Sequence, residues 1–371
     1  MVAAADKARQ AMADHDLVIE VLDARCPGAS GNPTIDRMRL HRQRPLLKVL
    51  NKTDIADPAI TAAWLAYFNA QKNTHAIALS CKKPGEAAKV LAAARKLAPH
   101  RNDNLKPLRM LIMGVPNVGK STLINALLKR KVAKTGDEPA ITKILHRYDL
   151  TSDMQLTDTP GLMWPRITQP SDGLMLAASH VIGANAYIDS EVAIYLADLL
   201  LELYPQAVAT RYGISPELIA QATAAREAAA AAETSKTVSA HGEQAPAQFE
   251  AGTDAGNEGH TLGAAEATAD DTGLASGTGG RDDAEATHGF DGVALIESIA
   301  AKRGYRLKGS HVDFDKASLA LLADYRGGAL GRISLETPKS RDALLARAKH
   351  TEAAQQAAEE AAAQPAAGSQ A

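Results

Sequence analysis

Leu111-Ile112-Met113-Gly114-Val115-Pro116-Asn117-Val118-Gly119-Lys120-Ser121-Thr122-Leu123 decides the fold of this 371-residue chain. An apolar run from Met110 to Met113 enters a glycine-bounded loop, and an apolar helical pattern at Leu123, Ile124, Leu127 and Leu128 leaves it. Strand, loop and helix in that order are the setting a G-x-x-x-x-G-K-[ST] phosphate loop requires. Gly114 and Gly119 let backbone N–H groups curl round phosphate oxygens with no Cβ in the way. Asn117, Val118, Gly119, Lys120, Ser121 and Thr122 are thereby predicted to cradle a nucleoside triphosphate. Lys120 meets the β/γ-phosphate charge, and Ser121 offers its hydroxyl to Mg2+.

Outward from this loop, apolar strands alternate with helices. Asp6 to Ala13 reads as a helix, Leu17 to Leu22 as a buried strand, and Ile35 to His41 as a second helix after a Pro/Gly/Ser loop. Strands follow at Pro45 to Leu50 and Ala76 to Leu79, then a helix from Gly85 to Leu97 and a polar linker from Pro99 to Pro107. Beyond the loop's own helix, strands are predicted at Ile144 to Leu150 and Met154 to Thr157. The pattern is helical from Leu174, with a broad apolar face over Ile188 to Leu203. The fold class is therefore α/β, a parallel-rich sheet with helices on both faces, followed by a small all-α part.

Composition sets the boundaries. Between Gln221 and His288 lie 12 acidic and 3 basic residues among Ala, Thr and Gly, with almost no large apolar side chains. Such a stretch buries too little to offset its ordering entropy, so 222–287 is expected to be a disordered insertion. It hides the charge of the rest. The whole chain carries −2, but without the insertion 38 basic residues face 31 acidic ones, a surplus of +7 compatible with a nucleic-acid surface. The expected division is 1–173, then a helical part from 174–221 and 288–340, then an Ala/Glu-rich tail over 341–371 that frays or stays disordered. No apolar run approaches the roughly 20 residues of a membrane span, and no signal peptide is evident, which predicts a soluble chain. Cys26 and Cys81 stand far apart in no metal spacing, as in a reduced cytoplasmic setting.

Three further pieces sharpen the ligand. Asn51-Lys52-Thr53-Asp54 follows a strand directly, with the spacing of an Asn-Lys-x-Asp guanine reader. A carboxylate at Asp54 accepts from both N1–H and the 2-amino group of guanine, whereas adenine has neither donor and would leave it unpaired. Asn51 would support N7, and the stem of Lys52 would cover the base; an ordinary Asn/Asp turn is the alternative for this tetrapeptide alone. Ser80-Cys81-Lys82 after the third strand fits the companion loop backing the base. Asp158-Thr159-Pro160-Gly161 ends its strand with a carboxylate placed to hold Mg2+ through water, leaving the Gly161 N–H for the γ-phosphate. Thr142, in the loop between the cradle and Asp158, is where a switch threonine would complete the metal shell.

The chain order of these pieces is unusual. Ordinary GTPases place the phosphate loop first, whereas here the guanine reader and Ser80-Cys81-Lys82 precede it. The parts are complete but cyclically shifted. This resembles the circularly permuted GTPases, and among them the ribosome biogenesis GTPase A group and its mitochondrial relatives. Val21-Leu22-Asp23-Ala24-Arg25, Asn32-Pro33, Pro116 to Asn125, Asp158 to Pro165, Lys302-Arg303-Gly304, Lys308-Gly309 and Leu330-Gly331-Arg332-Ile333-Ser334 all carry the likeness. It covers roughly residues 1–220 and 288–338.

The resemblance implies a GTPase that binds the maturing large ribosomal subunit with GTP, touches ribosomal RNA through the helical part, and leaves after hydrolysis. It implies GTP and GDP as ligands with Mg2+, a cytoplasmic monomer and no membrane. Gly161 would be wired to the helices through only about a dozen residues, Leu162 to Gly173, so phosphate loss would reorient them. Leu162 replaces the water-orienting Gln of Ras-like enzymes, predicting slow intrinsic turnover. Asn117 looks like the asparagine that helps ligate K+ in potassium-stimulated GTPases, with a turn-forming Asn as the alternative. Members usually open Trp-Phe-Pro-Gly-His-Met, with a histidine proposed as catalytic. This chain begins Met1-Val2-Ala3, so the codons upstream of Met1 decide whether that histidine is encoded. Ala140 stands where Gly is commoner. Lys302, Arg303, Arg306, Lys308, Arg326 and Arg332 are the residues expected on RNA phosphates, against a plain solvated surface. Two rivals remain at this stage: a small-subunit assembly GTPase, and an RNA-binding scaffold with negligible turnover.

Overall fold

The computed structural model describes residues 2–101, 106–132, 145–159, 161, 163, 167–215, 217–220, 224, 290–309 and 311–363. Thr142, Ala140, Leu162 and nearly all of the 222–287 insertion lie outside the described residues. Met1–Ala220 and Phe290–Ala371 fold as one compact unit. Among the described residues no single helix is long and apolar enough to cross a membrane.

A six-stranded sheet forms the centre, ordered β3-β2-β1-β4-β6-β5. Its strands are β1 (Leu17–Asp23), β2 (Leu46–Asn51), β3 (Thr74–Ala78), β4 (Leu108–Met113), β5 (His146–Thr151) and β6 (Met154–Asp158). All neighbours are parallel except β5, which runs antiparallel to β6 at the edge. The buried strands β1 and β2 are apolar but for two pairs in register, Asp23 beside Asn51 at their carboxyl ends and Glu20 beside Lys48, whose charges meet at 2.5 Å. Glu20 also accepts from the Asn32 N–H, and the Asn32 side chain caps α2 (Pro33–His41) by accepting from Thr34 N–H. A buried carboxylate so supplied costs little. The edge strand β5 is polar and largely exposed, which suits a strand with one unpaired side.

Helices α1 (Val2–Ala13), α3 (Pro58–Asn69), α4 (Ala88–Leu97) and α5 (Lys120–Leu128) cover the sheet. The sequence reading gave α3 no element. Asp57 caps it, and it buries Trp64 and Phe68. Helix α4 begins at Ala88 rather than Gly85, because Gly85 sits at φ +81° in the left-handed region and starts a turn instead. The remaining helices are α6 (Pro170–Ala178), α7 (Asp189–Leu203), α8 (Pro205–Tyr212), α9 (Gly292–Arg303), α10 (Phe314–Gly327) and α11 (Pro338–Ala363). The apolar face of α7 (Val192, Leu196, Leu200) packs against α9 and α10, in a core continuous with that of the sheet. The expected basic turn at 303–309 is one arm of a small hairpin, bridged between Arg306 and Val312. The tail is helical in α11.

After α10 the chain returns as a strap, residues 332–336, along the ends of β1 and β2. Ile333 N–H donates to Ile55 O at 3.0 Å and Leu335 N–H to Arg25 O at 2.7 Å. Ser334 Oγ accepts from Asp57 N–H and donates to Ala24 O. Glu336 closes the strap: its Oε1 accepts from Ala29 N–H at 2.8 Å and its carbonyl from Trp64 Nε1 at 3.1 Å. Its Oε2 is buried without a hydrogen bond, and Arg341 stands 3.9 Å away. Burial lifts the Glu336 carboxyl to about 7, although Arg341 and the Ala29 N–H pull the other way. Since the unfolded value is near 4.5, folding favours the protonated acid. This group's stabilisation is full below pH 4.5 and is lost as pH rises through 7. Denaturant titrations at pH 5 and pH 8 should differ by up to about 3 kcal/mol from this source, and Glu336→Gln should flatten the difference.

Candidate functional site

Five loops meet at the carboxyl ends of adjacent parallel strands, where an open α/β sheet binds its ligands. They follow β3, β2, β1, β4 and β6, side by side across the sheet, although the chain visits them in another order. The first four, with residues of the helical part, enclose a cleft of about 400 Å³ lined by Arg25, Asn51, Lys52, Asp54, Ser80, Cys81, Lys82, Asn117, Gly119, Lys120, Ser121 and Thr122; Asp158 and Gly161 are not among its lining residues.

The loop after β4 has the backbone a phosphate cradle needs. Gly114 (φ +146°) lies so close to β1 that a Cβ would come within 2.6 Å of Val21 O. Gly119 (φ +99°) is tighter still, with Asn51 Nδ2 occupying the place its Cβ would need. Between them Asn117 also takes positive φ, +54°, which Asn tolerates better than most residues. Helix α5 starts at Lys120 and aims its N-terminus into the cleft.

Asn51 joins three of the loops. Its Nδ2 donates to Val118 O at 2.9 Å, and its Oδ1 accepts from Cys81 N–H at 3.1 Å. The side chain expected to support N7 therefore also fixes the distance between the Asn51–Asp54 turn, the Ser80–Lys82 loop and the cradle. Asp54 accepts from Ser80 Oγ at 2.7 Å and pairs with Lys82 at 3.2 Å. Burial works to raise its carboxyl, but the Ser80 and Lys82 contacts prevail and hold it below the usual value, so it stays an acceptor. Lys52 (φ +66°) is tied by its amine to Asp23 at 2.9 Å, leaving its stem along the cleft wall. Burial pushes the Cys81 thiol up to about 12, so it is no nucleophile.

At the phosphate end, β4 and β6 place Ile112 beside Asp158. Asp158 is 2 % exposed, and its Oδ1 has no hydrogen-bond partner; Asn117 Nδ2 is likewise buried and unpartnered. Burial raises the Asp158 carboxyl despite the attraction of Lys120 and His146. It lowers the Lys120 amine, against the pull of Asp158. Both charges are thus incompletely compensated within the protein. Gly161 rests against Pro116, with ring atoms 3.3 Å from where a Cβ would be. A buried carboxylate oxygen with no donor fits a hard cation with oxygen ligands.

Three features escaped sequence reasoning. Arg25 is buried against Asp23, Ser179 O and the Tyr325 ring. Ser179, His180 and Arg326 from the helical part line the same cleft. Of the basic residues expected on RNA, Arg326 donates instead to Ala177 O, Ala178 O and Tyr187, and Arg332 to Thr53 O and Ala56 O. Arg303 pairs with Asp324, and Lys302 donates to Gly213 O. Arg306 and Lys308 are exposed on the hairpin. Only residues distant in sequence supply these partners, so the local pattern could not give them.

A phosphate-loop α/β protein with a guanine-type reader loop, its elements in rotated chain order, is a GTPase by fold and cleft. The comparisons agree. A family model described as 50S ribosome-binding GTPase matches residues 109–227, starting at β4 and so leaving out the Asn51–Asp54 turn, which precedes it. Ribosome biogenesis GTPase A of Bacillus cereus is 30% identical over 333 residues, 87% of each chain. The protein of that name from Priestia megaterium is 35% identical over 208 residues, 54% of this chain and 71% of its own. Mitochondrial ribosome-associated GTPase 1 of Xenopus tropicalis is 33% identical over 216 residues, 53% of this chain and 65% of its own. Among solved structures, GNP-bound YlqF from T. maritima aligns at TM-score 0.47 with 22% identity, over 87% of this chain and 93% of that one. This chain belongs to the ribosome biogenesis GTPase A family.

Proposed function

We propose that this GTPase is an assembly factor for the large ribosomal subunit, binding the maturing particle in its GTP form and leaving after hydrolysis. The observation that carries the nucleotide part is Asn51, whose amide ties the Asp54 turn and the Ser80–Lys82 loop directly to the cradle. Asp54 would take N1–H and the 2-amino group of guanine. Lys120 and the N–H groups from Asn117 to Thr122 would hold the phosphates, with the Gly161 N–H at the γ-phosphate.

Ser121 and Asp158 would hold Mg2+, with Thr142 completing its shell; the metal supplies charge neutralisation of the β- and γ-phosphates. The Asn117 side chain would help to ligate K+, in place of an arginine finger. Lys120 and Gly161 would orient the γ-phosphate, and position 162 is Leu rather than a water-orienting Gln, so turnover alone should be slow. The names of the relatives point to the ribosome as partner, and the exposed hairpin with Arg306 and Lys308 offers phosphate contacts.

Phosphate release measured with GTP and with ATP, in K+ and in Na+, with and without large-subunit precursors, tests this reading. Turnover specific to GTP, higher in K+, and raised at least tenfold by large-subunit particles is the expected result. Equal turnover of ATP, or stimulation by small-subunit particles alone, would sink it.

A further inference from the structure

We infer that Arg332, in the strap that follows α10, is a positioning residue for guanine recognition: it holds the Asn51–Asp54 turn from outside and so fixes the Asp54 carboxylate. The inference rests on the reading of Asp54 as the base acceptor.

The turn is short and half-buried, and no hydrogen bond within it satisfies the carbonyls of Thr53, Ile55 and Ala56. Arg332 Nη2 donates to Thr53 O and Nε to Ala56 O, each at 2.9 Å, so one guanidinium grips both flanks of Asp54. Between them Ile333 N–H takes Ile55 O at 3.0 Å, and Ser334 Oγ accepts from Asp57 N–H at 3.1 Å. Every carbonyl from 53 to 56 other than that of Asp54 is therefore held by the strap. Where α10 ends, Gly328 (φ +78°) fits so closely that a Cβ would lie 2.6 Å from Ile55 Cγ2. Inside the cleft Asp54 has its own anchor in Ser80. The acceptor is thus gripped from two sides, Ser80 within the cleft and Arg332 beneath the backbone.

A planar guanidinium can span two carbonyls at a fixed separation; an ammonium cannot. Freed from Arg332, the turn would sample more conformations, and guanine would have to order it on binding, which weakens affinity without removing any contact. The loss should act only through Asp54. The phosphate cradle is held by Asn51, against which Gly119 packs, and by Gly114 packed on β1, not by the strap.

The test is a double-mutant cycle on the full chain, with fluorescent GDP as probe and thermal unfolding as the check on folding. Arg332→Ala should weaken GDP about tenfold, the scale of losing one or two hydrogen bonds that order a loop. In an Asp54→Ala background the same change should cost nothing further. Equal losses in both backgrounds, or no loss in either, would overturn the inference, because a merely structural arginine weakens every nucleotide contact alike. If Arg332→Ala fails to fold, Arg332→Lys is read in the same cycle, since it keeps the charge but lacks the planar fork that fixes the spacing of Thr53 O and Ala56 O. An Asp54→Ala chain that bound GDP as tightly as the unaltered one would instead overturn the reading of Asp54, and this inference with it.

Discussion

Arg25→Ala should destabilise the protein by about 3–5 kcal/mol, the range for removing one partner of a buried ion pair. Arg25 is 2 % exposed. Its Nε and Nη2 meet both oxygens of Asp23 at 3.0 and 2.8 Å, and Nη2 also donates to Ser179 O at 2.8 Å. The guanidinium lies 5.0 Å from the centre of the Tyr325 ring on α10. Burial works to raise the Asp23 carboxyl, yet Arg25 and Lys52 hold it far below the ordinary range. Removing Arg25 leaves a buried carboxylate with Lys52 as its remaining cation and opens the packing against Tyr325. Urea titration of the nucleotide-free protein checks the magnitude; a loss under 1 kcal/mol would refute the account. Lys52 faces the cleft, so GDP affinity should fall as well.

Lys120→Ala should have the opposite profile. Nucleotide affinity should drop by about 100-fold or more, as expected for losing a charge-assisted contact to phosphate in an enclosed site, and phosphate release should fall to background. Stability without nucleotide should hold or rise slightly. The Lys120 amine has no hydrogen-bond partner among the described residues, and burial already depresses its affinity for the proton. Fluorescent GDP titration and melting curves of the unliganded protein separate the two effects. A variant that melted much lower and bound GDP normally would show that Lys120 serves the fold rather than the phosphates.

Strands near the cradle are legible in the sequence, because β1, β2 and β4 are almost wholly buried and read as apolar runs interrupted by one charged residue each, Glu20, Lys48 and Arg109, before their carboxyl ends. Reader and companion loops were plain because each follows such a run directly. Helix α3 was not. Trp64 is stacked on Phe68, 5.1 Å away between ring centres, and its indole N–H reaches the carbonyl of Glu336. With one face toward the sheet and another toward the strap, α3 carries apolar residues on more than one side, which blurs a helical period. Charge misled most. Arg326 and Arg332 look like any solvated arginine in sequence, but their acceptors are main-chain carbonyls 148 and 276 positions away. Asn51 was found for its place in a motif, and only the fold reveals that it also joins two other loops.

The strap ties the beginning of the chain to its end. Ala24, Ala29 and Trp64 find hydrogen-bond partners 310, 307 and 272 residues later. Pairings so remote are the slowest to form, since nearly the whole polypeptide must be in hand before they can close. A nascent chain halted at Ala220 would have made all six strands and every residue lining the cleft except Arg326. Its first two strands would nevertheless lack the segment that satisfies carbonyls and N–H groups beyond their carboxyl ends. Competence to hold a ligand would then arrive late in synthesis, after the last helices leave the exit tunnel.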